Sequence, residues 1–312
     1  MSKIVILGAG HVGSICALSI ANLGICDEIV LIDINRERAV AQAKDIADGT
    51  CFTHRHVHVH AGDYSELDDA DILVNAVGMS RKPGQTRMDL LDATAVIMDN
   101  VIENMKQTTF DGIIISISNP CDVIANYLRV KYHYPATKIF GTGTMLDSAR
   151  LKRTISELAN IDMKSITCFA MGEHGESSSI PMSQIRIVGK ALTELIAENP
   201  ERFGRITLDE LLSRTHQMGT EIIVGKGSTE FGIGMALADL CKAILYDEHR
   251  VLPVSALLNG EYGQCDIMAG VPAIIGRNGI EQIIEYPITD EEMATFGASC
   301  DKIRKYIEKS LE

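Results

Sequence analysis

The sequence predicts an α/β protein, with a doubly wound parallel sheet in its first half and an α+β second half. Three observations predict it. Short, largely apolar runs, such as Ile4-Val-Ile-Leu7 and Gly112-Ile-Ile-Ile-Ser-Ile-Ser118, read as strands buried on both faces. Helical patterns near 15–23, 36–48 and 88–105 alternate with them. A glycine-rich turn, Gly8-Ala-Gly10-His-Val-Gly13, falls between the first strand and the first helix.

That turn is the first functional signal. Gly8 permits a tight turn, Gly10 lets the backbone approach a pyrophosphate, and Gly13 lets helix and strand pack closely. The helix N-terminus then faces the phosphate charge. The next strand, Glu28-Ile-Val-Leu-Ile32, ends in Asp33, 20 residues after Gly13. A carboxylate there accepts hydrogen bonds from both adenosine ribose hydroxyls and repels a 2′-phosphate. NAD is therefore expected over NADP, although Arg36 and Arg38 stand close by. Strand, glycines, helix, strand and Asp together predict an N-terminal Rossmann domain.

The third strand is expected within His54-Arg-His56-Val-His58-Val-His60. Four histidines at spacing two would share one strand face and invite a metal reading. No nearby Cys or acidic residue is read as completing a site, and polar side chains on an edge strand account for the histidines, so no metal is expected. A strand at 71–77 leads into the loop that starts at Gly78 and carries Arg81 and Arg87 on either side of Pro83-Gly84. Two cations around a Pro-Gly turn suit a lid over an anion. The strand at 112–118 ends in Asn119-Pro120. Ligands bind at the carboxyl tips of such strands, and the Asn119 amide could reach a nicotinamide or a reacting carbonyl; a turn-initiating Asn before Pro is the plainer alternative. A short strand at 138–141 closes the first domain, taken as 1–143. The second, 144–312, reads as helix 145–159, strands near 165–171 and 184–188, helices 208–224 and 229–246, strands 251–258 and 271–275, and a charged helix from Asp290.

Bulk properties narrow the function. The 312 residues suffice for two domains; apolar content is 46% and charged content 23%. A net charge of −13 argues against nucleic acid and anionic membrane as partners, and the absence of Trp argues against base-stacking platforms. Eight scattered Cys without a C-x-x-C pair suggest a reduced, cytoplasmic chain. Neither a signal peptide nor a transmembrane run is expected.

Two later motifs carry chemistry. Gly141-Thr-Gly-Thr-Met-Leu-Asp147-Ser-Ala-Arg150 places Asp and Arg at i and i+3 on one helix face. Met171-Gly-Glu-His174-Gly-Glu sets a His between glycines, in a loop. Alone, each is more often a surface salt bridge or a structural His; beside the nucleotide fingerprint they suggest redox chemistry on a hydroxy acid.

Together with Lys82-Pro83-Gly84-x-Thr86-Arg87 and Ser118-Asn119-Pro120, these motifs resemble the L-lactate/L-malate dehydrogenase family, in the family's order and over most of the chain. The resemblance implies a C-terminal catalytic domain, NAD as cofactor, a small 2-hydroxy/2-oxo acid as substrate and a homodimer or homotetramer. It implies His174 as proton donor and acceptor, Asp147 as its orienting carboxylate, Arg150 as the clamp on the substrate carboxylate and Arg87 as the polariser of the carbonyl. Asn119 and Thr229 would line the substrate pocket. Gly8, Gly10, His11, Val12, Gly13, Asp33, Gly78 and Asn119 are the cofactor-binding candidates. Malate-type members carry Arg where Arg81 stands, and lactate-type members Gln. An unpaired guanidinium in a closing site costs roughly 2–5 kcal/mol, so Arg81 predicts malate. Lys226-Gly-Ser-Thr229-Glu-Phe resembles the lactate branch instead, and Phe169–Gly175 resembles the L-2-hydroxyisocaproate dehydrogenase branch, which keeps both alternatives open. Members activated by fructose 1,6-bisphosphate pair a basic residue with a His at the positions of Lys152 and Thr167; with Thr there, no such activation is expected. A non-catalytic NAD-sensing protein is the alternative from another class. It has no need of Arg87, Asp147, Arg150 and His174 together.

Overall fold

The computed structural model describes residues 1–78 and 87–311, with backbone alone at 87–92 and 310–311. The first half runs β1 (Lys3–Leu7), α1 (His11–Leu23), β2 (Glu28–Ile32), α2 (Arg36–Gly49), β3 (His58–Ala61), β4 (Ile72–Asn75), α3 (Arg87–Met105), β5 (Ile113–Ser116), α4 (Cys121–Tyr132) and β6 (Ile139–Gly141). The second half runs α5 (Met145–Ala159), β7 (Ile166–Thr167), β8 (Arg186–Ile187), β9 (Lys190–Ala191), α6 (Leu192–Glu198), α7 (Pro200–Phe203), α8 (Leu208–Lys226), α9 (Phe231–Leu245), β10 (Arg250–Asn259), β11 (Cys265–Gly276), β12 (Gly279–Ile283) and α10 (Asp290–Leu311).

Among the described residues the main sheet has the order β12-β11-β10-β6-β5-β4-β1-β2-β3. Strands β1 to β6 are parallel, in the 3-2-1-4-5-6 order of a Rossmann sheet. Every residue of β1, β4 and β5 is buried, as apolar runs covered by helices on both faces must be. The sheet does not stop there. The antiparallel strands β10, β11 and β12 continue it through the pairing of Ser255 with Gly141. A second core, built on Leu151, Ile155, Ile166, Ile185 and Leu211, lies under the small β7-β8-β9 sheet.

Two sequence expectations change. The strand expected near 165–171 is only Ile166–Thr167, because Met171 and Gly172 bridge instead to Ser179 and Gly270, around the 173–178 loop. In the histidine run, β3 begins at His58, so only His58 and His60 share a strand face; His54 and His56 precede it and are exposed. As expected, β3 is an edge strand.

Candidate active site

The candidate site residues meet where α5, the 172–177 loop and α8 converge. Asp147 lies in the first turn of α5, is 6% exposed, and reaches His174 at 2.6 Å from Oδ2 to Nδ1. Its other oxygen, Oδ1, accepts from Arg150 Nη1 at 3.2 Å. The i, i+3 spacing thus puts one carboxylate between an imidazole and a guanidinium. Burial pushes the Asp147 carboxyl up, but His174 and Arg150 outweigh it and hold it below its ordinary value. The Asp147 charge raises the His174 pKa against the opposing effect of desolvation.

The loop that presents His174 is pinned from several sides. Gly172 has φ 87°, and a Cβ there would stand 2.3 Å from Ser299 Oγ on α10. Glu173 N donates to that hydroxyl at 2.8 Å, and Lys302 Nζ lies 2.9 Å from Glu173 Oε2. His174 N donates to Asp122 Oδ2 at 2.9 Å. Asp122 is 3% exposed, and its Oδ1 has no hydrogen-bond partner among the described residues. Burial raises its pKa to about 6.

His174, Asp147 and Arg150 line a cavity of about 330 Å³ with Asn119, Thr215 and Thr229. Of the sequence-predicted residues, the structure therefore brings Asn119, Asp147, Arg150, His174 and Thr229 together. The side chain of Arg87, at the start of α3, and all of Arg81 lie outside the described residues. Sequence reading missed the α8 wall. Thr215 and Gly219 are spaced i, i+4 and so share a face. A Cβ at Gly219 would lie 3.3 Å from Arg150 Nη2, so this glycine packs on the guanidinium. Small residues on one face of a long helix were the available signal. A larger cavity, about 390 Å³, is lined by Asp68, Asp71, Asp111 and Lys138. There Lys138 pairs with Asp111, and no acid–base pair of the His174–Asp147 kind is present among its described residues.

The nucleotide end follows the sequence closely. Gly8 turns at φ 95° and donates to Ile32 O. A Cβ on Gly13 would lie 1.8 Å from Gly8 O, so only glycine allows α1 this close to the turn. Among the described residues nothing lies within 4 Å of where a Cβ on Gly10 or Gly78 would stand, room for a ligand's approach. The first turn of α1 holds no acidic residue, leaving its positive end free for an anion. Asp33 ties the turn to β2, accepting from Ala9 N and Asn35 N at 2.8 Å each. His11 is 87% exposed, and Val12 packs against the core.

Comparison with known proteins decides the family. Residues 2–141 match the lactate/malate dehydrogenase NAD-binding domain, and residues 144–312 match the lactate/malate dehydrogenase alpha/beta C-terminal domain. The chain belongs to the lactate/malate dehydrogenase family. It is therefore an NAD-dependent 2-hydroxyacid dehydrogenase. It is 45% identical to L-lactate dehydrogenase 3 of Bacillus anthracis over 305 residues, which are 98% of this chain and 96% of that one. Its fold matches the ligand-bound minor L-lactate dehydrogenase of Enterococcus mundtii with TM-score 0.94 at 36% identity, covering 98% of each chain. It also matches the Cryptosporidium parvum lactate dehydrogenase complexed with lactic acid and nicotinamide adenine dinucleotide. There the TM-score is 0.92 at 27% identity, over 99% of this chain and 98% of that one. NAD is the cofactor, and the glycine turn and Asp33 fit it.

These relatives overturn the malate expectation. They carry the name lactate dehydrogenase, and the identity extends over nearly the whole chain. The malate reading rested on Arg81 alone. The frame around the cavity, Thr229 included, is the part of the sequence that resembles the lactate branch.

Proposed function

We propose that the chain is an L-lactate dehydrogenase, interconverting pyruvate and L-lactate with NAD as the hydride carrier. What supports this reading most is the near full-length similarity to proteins named L-lactate dehydrogenase, combined with an acid–base pair and a carboxylate clamp on one cavity wall. NAD, when bound, supplies or accepts the hydride at the substrate carbon. His174 gives its proton to the ketone oxygen in reduction and takes it from the alcohol in oxidation. Asp147 fixes Nδ1 as the protonated nitrogen, leaving Nε2 for the substrate, and stabilises the imidazolium. Arg150 gives Asp147 one guanidinium bond, which leaves further donors of its fork for a bidentate grip on the substrate carboxylate. Arg87 polarises the carbonyl. Thr229 and Thr215 border the substrate side chain. Residues 1–143 hold the cofactor and 144–312 the substrate. The working form is a cytoplasmic homodimer or homotetramer without fructose 1,6-bisphosphate activation. No described helix is long and apolar enough to cross a membrane.

The test is His174→Asn. It should abolish pyruvate-dependent NADH oxidation while NADH binding, read by fluorescence, is retained. Unchanged turnover would sink the assignment of His174 as the acid–base group.

A further inference from the structure

The histidine run lacked an acidic partner in its own stretch of sequence. The fold supplies one from the neighbouring strand. Glu28, the first residue of β2, pairs in register with His58, the first of β3; His60 follows two residues later on the same face. Glu28 Oε1 lies 2.8 Å from His60 Nε2 and 3.5 Å from His58 Nδ1. One ligand atom from each of the three residues lies within 4.8 Å of the others. Four-coordinate zinc, with bonds of about 2.0–2.1 Å, sets its ligand atoms roughly 3.3 Å apart. The distances of 2.8 and 3.5 Å bracket that separation.

We propose that Glu28, His58 and His60 form a surface site for a divalent transition-metal ion of the zinc type, joining edge strand β3 to β2.

The hydrogen bonding of His60 points the same way. Its Nδ1 lies 3.3 Å from Ala61 O, and its Nε2 faces the Glu28 carboxylate. A neutral imidazole has one N–H for these two acceptors. A metal ion between Nε2 and Oε1 resolves the conflict, with Nδ1–H donated to a backbone carbonyl as metal-bound histidines commonly do. Protonation of the ring is the competing resolution, and the experiment separates the two. The surroundings favour a cation. Lys3 Nζ is 3.8 Å from Glu28 Oε2, but it also meets Glu66 and Asp69 at 2.6 and 2.8 Å, so three carboxylates face one ammonium. His58 is 65% exposed, which leaves solvent access for a water as fourth ligand. Two imidazoles and a carboxylate suit zinc, copper or nickel over magnesium or calcium. The cluster sits at the amino-terminal ends of β2 and β3. The cofactor and substrate groups sit at the carboxyl ends, so the ion would hold the sheet edge without entering the reaction.

The test compares the full-length protein with a His58→Ala/His60→Ala variant. Zn²⁺ titration by calorimetry should count one more ion per chain in the parent. Zn²⁺ should raise the Tm of the parent by more than that of the variant. Co²⁺ should give more of the intense visible absorption of a four-coordinate site in the parent than in the variant. The loss of affinity should exceed the roughly 10–100-fold seen when an outer-shell partner is removed. Taking the difference between the two proteins cancels binding elsewhere, for example at Asp247, His249 and Glu281 or at exposed Cys51 and Cys265. Equal Tm values for parent and variant in chelator would show that both fold alike. Equal Zn²⁺ stoichiometry, or a Co²⁺ spectrum shared by both, would overturn the site and leave an imidazolium–carboxylate pair only. Glu28→Gln separates the two readings again: it should weaken Zn²⁺ binding, and unchanged binding would also count against the proposal.

Discussion

Replacing Asp147 by Asn changes one charge at the centre of the site and little of its volume. Asp147 Oδ2 stands 2.6 Å from His174 Nδ1 in a position only 6% exposed. The carboxylate acts in two ways: it selects the tautomer that leaves Nε2 facing substrate, and it favours the imidazolium. A hydrogen bond to a charged partner is worth about 1.5–3 kcal/mol, a factor of roughly 10–150 at about 1.4 kcal/mol per decade. An amide nitrogen turned toward Nδ1 adds the wrong tautomer. The expected loss in kcat/KM for pyruvate is therefore roughly 10²–10⁴-fold, the range of a general acid–base contribution. The pH dependence has a definite sign. Pyruvate reduction needs protonated His174, so the rate falls as pH rises through its pKa. Asp147 is the largest influence raising that pKa. Without it, the alkaline limb should move to lower pH. The assay is steady-state NADH oxidation across a pH series, with NADH binding as the control for folding. A loss of less than about threefold, on an unmoved alkaline limb, would refute the reasoning that Asp147 orients and charges His174.

Other consequences follow from the same geometry. Arg150→Lys removes the planar fork while keeping the charge; kcat/KM for pyruvate should fall by roughly 30- to several-thousand-fold with NADH affinity unchanged, and retained activity would show that a point charge suffices. Asp122→Asn keeps an acceptor for His174 N–H but removes a buried ionisable group. The folded pKa of Asp122, about 6, is raised above the 3.8 of an ordinary Asp. Between those values the unfolded chain gives up its proton first, so Asp122 lowers stability as pH rises through that window, by up to roughly 3 kcal/mol. In Asp122→Asn that falling limb in Tm should be lost, whereas an identical pH profile would mean that Asp122 is not a buried titrating group.

Most of the nucleotide domain was legible because its constraints are local. A parallel strand covered on both faces is mostly apolar, and Gly13 must lack a Cβ that would stand 1.8 Å from Gly8 O. The Asp147–Arg150 pair was legible for the same reason, since i, i+3 spacing on a helix fixes a shared face. What joins distant segments was not. The Ser255–Gly141 pairing that merges the two halves into one sheet leaves no periodic trace. Asp122 meets the His174 loop across 52 residues, and nothing near Asn119-Pro120 announces that contact. Glu28 belongs to β2 and became a neighbour of His58 only through strand pairing, so the histidine run looked short of a ligand. The substrate expectation failed for a different reason: it rested on Arg81, which lies outside the described residues, while Thr215 and Gly219 of the α8 wall meet the cavity only in three dimensions.

The measurement that bears most directly on the account is kcat/KM for pyruvate, oxaloacetate and 2-oxoisocaproate with NADH, taken on one preparation. An L-lactate dehydrogenase should prefer pyruvate over both competitors by at least ~10-fold, about 1.4 kcal/mol in transition-state binding. A higher value for oxaloacetate or 2-oxoisocaproate would contradict it.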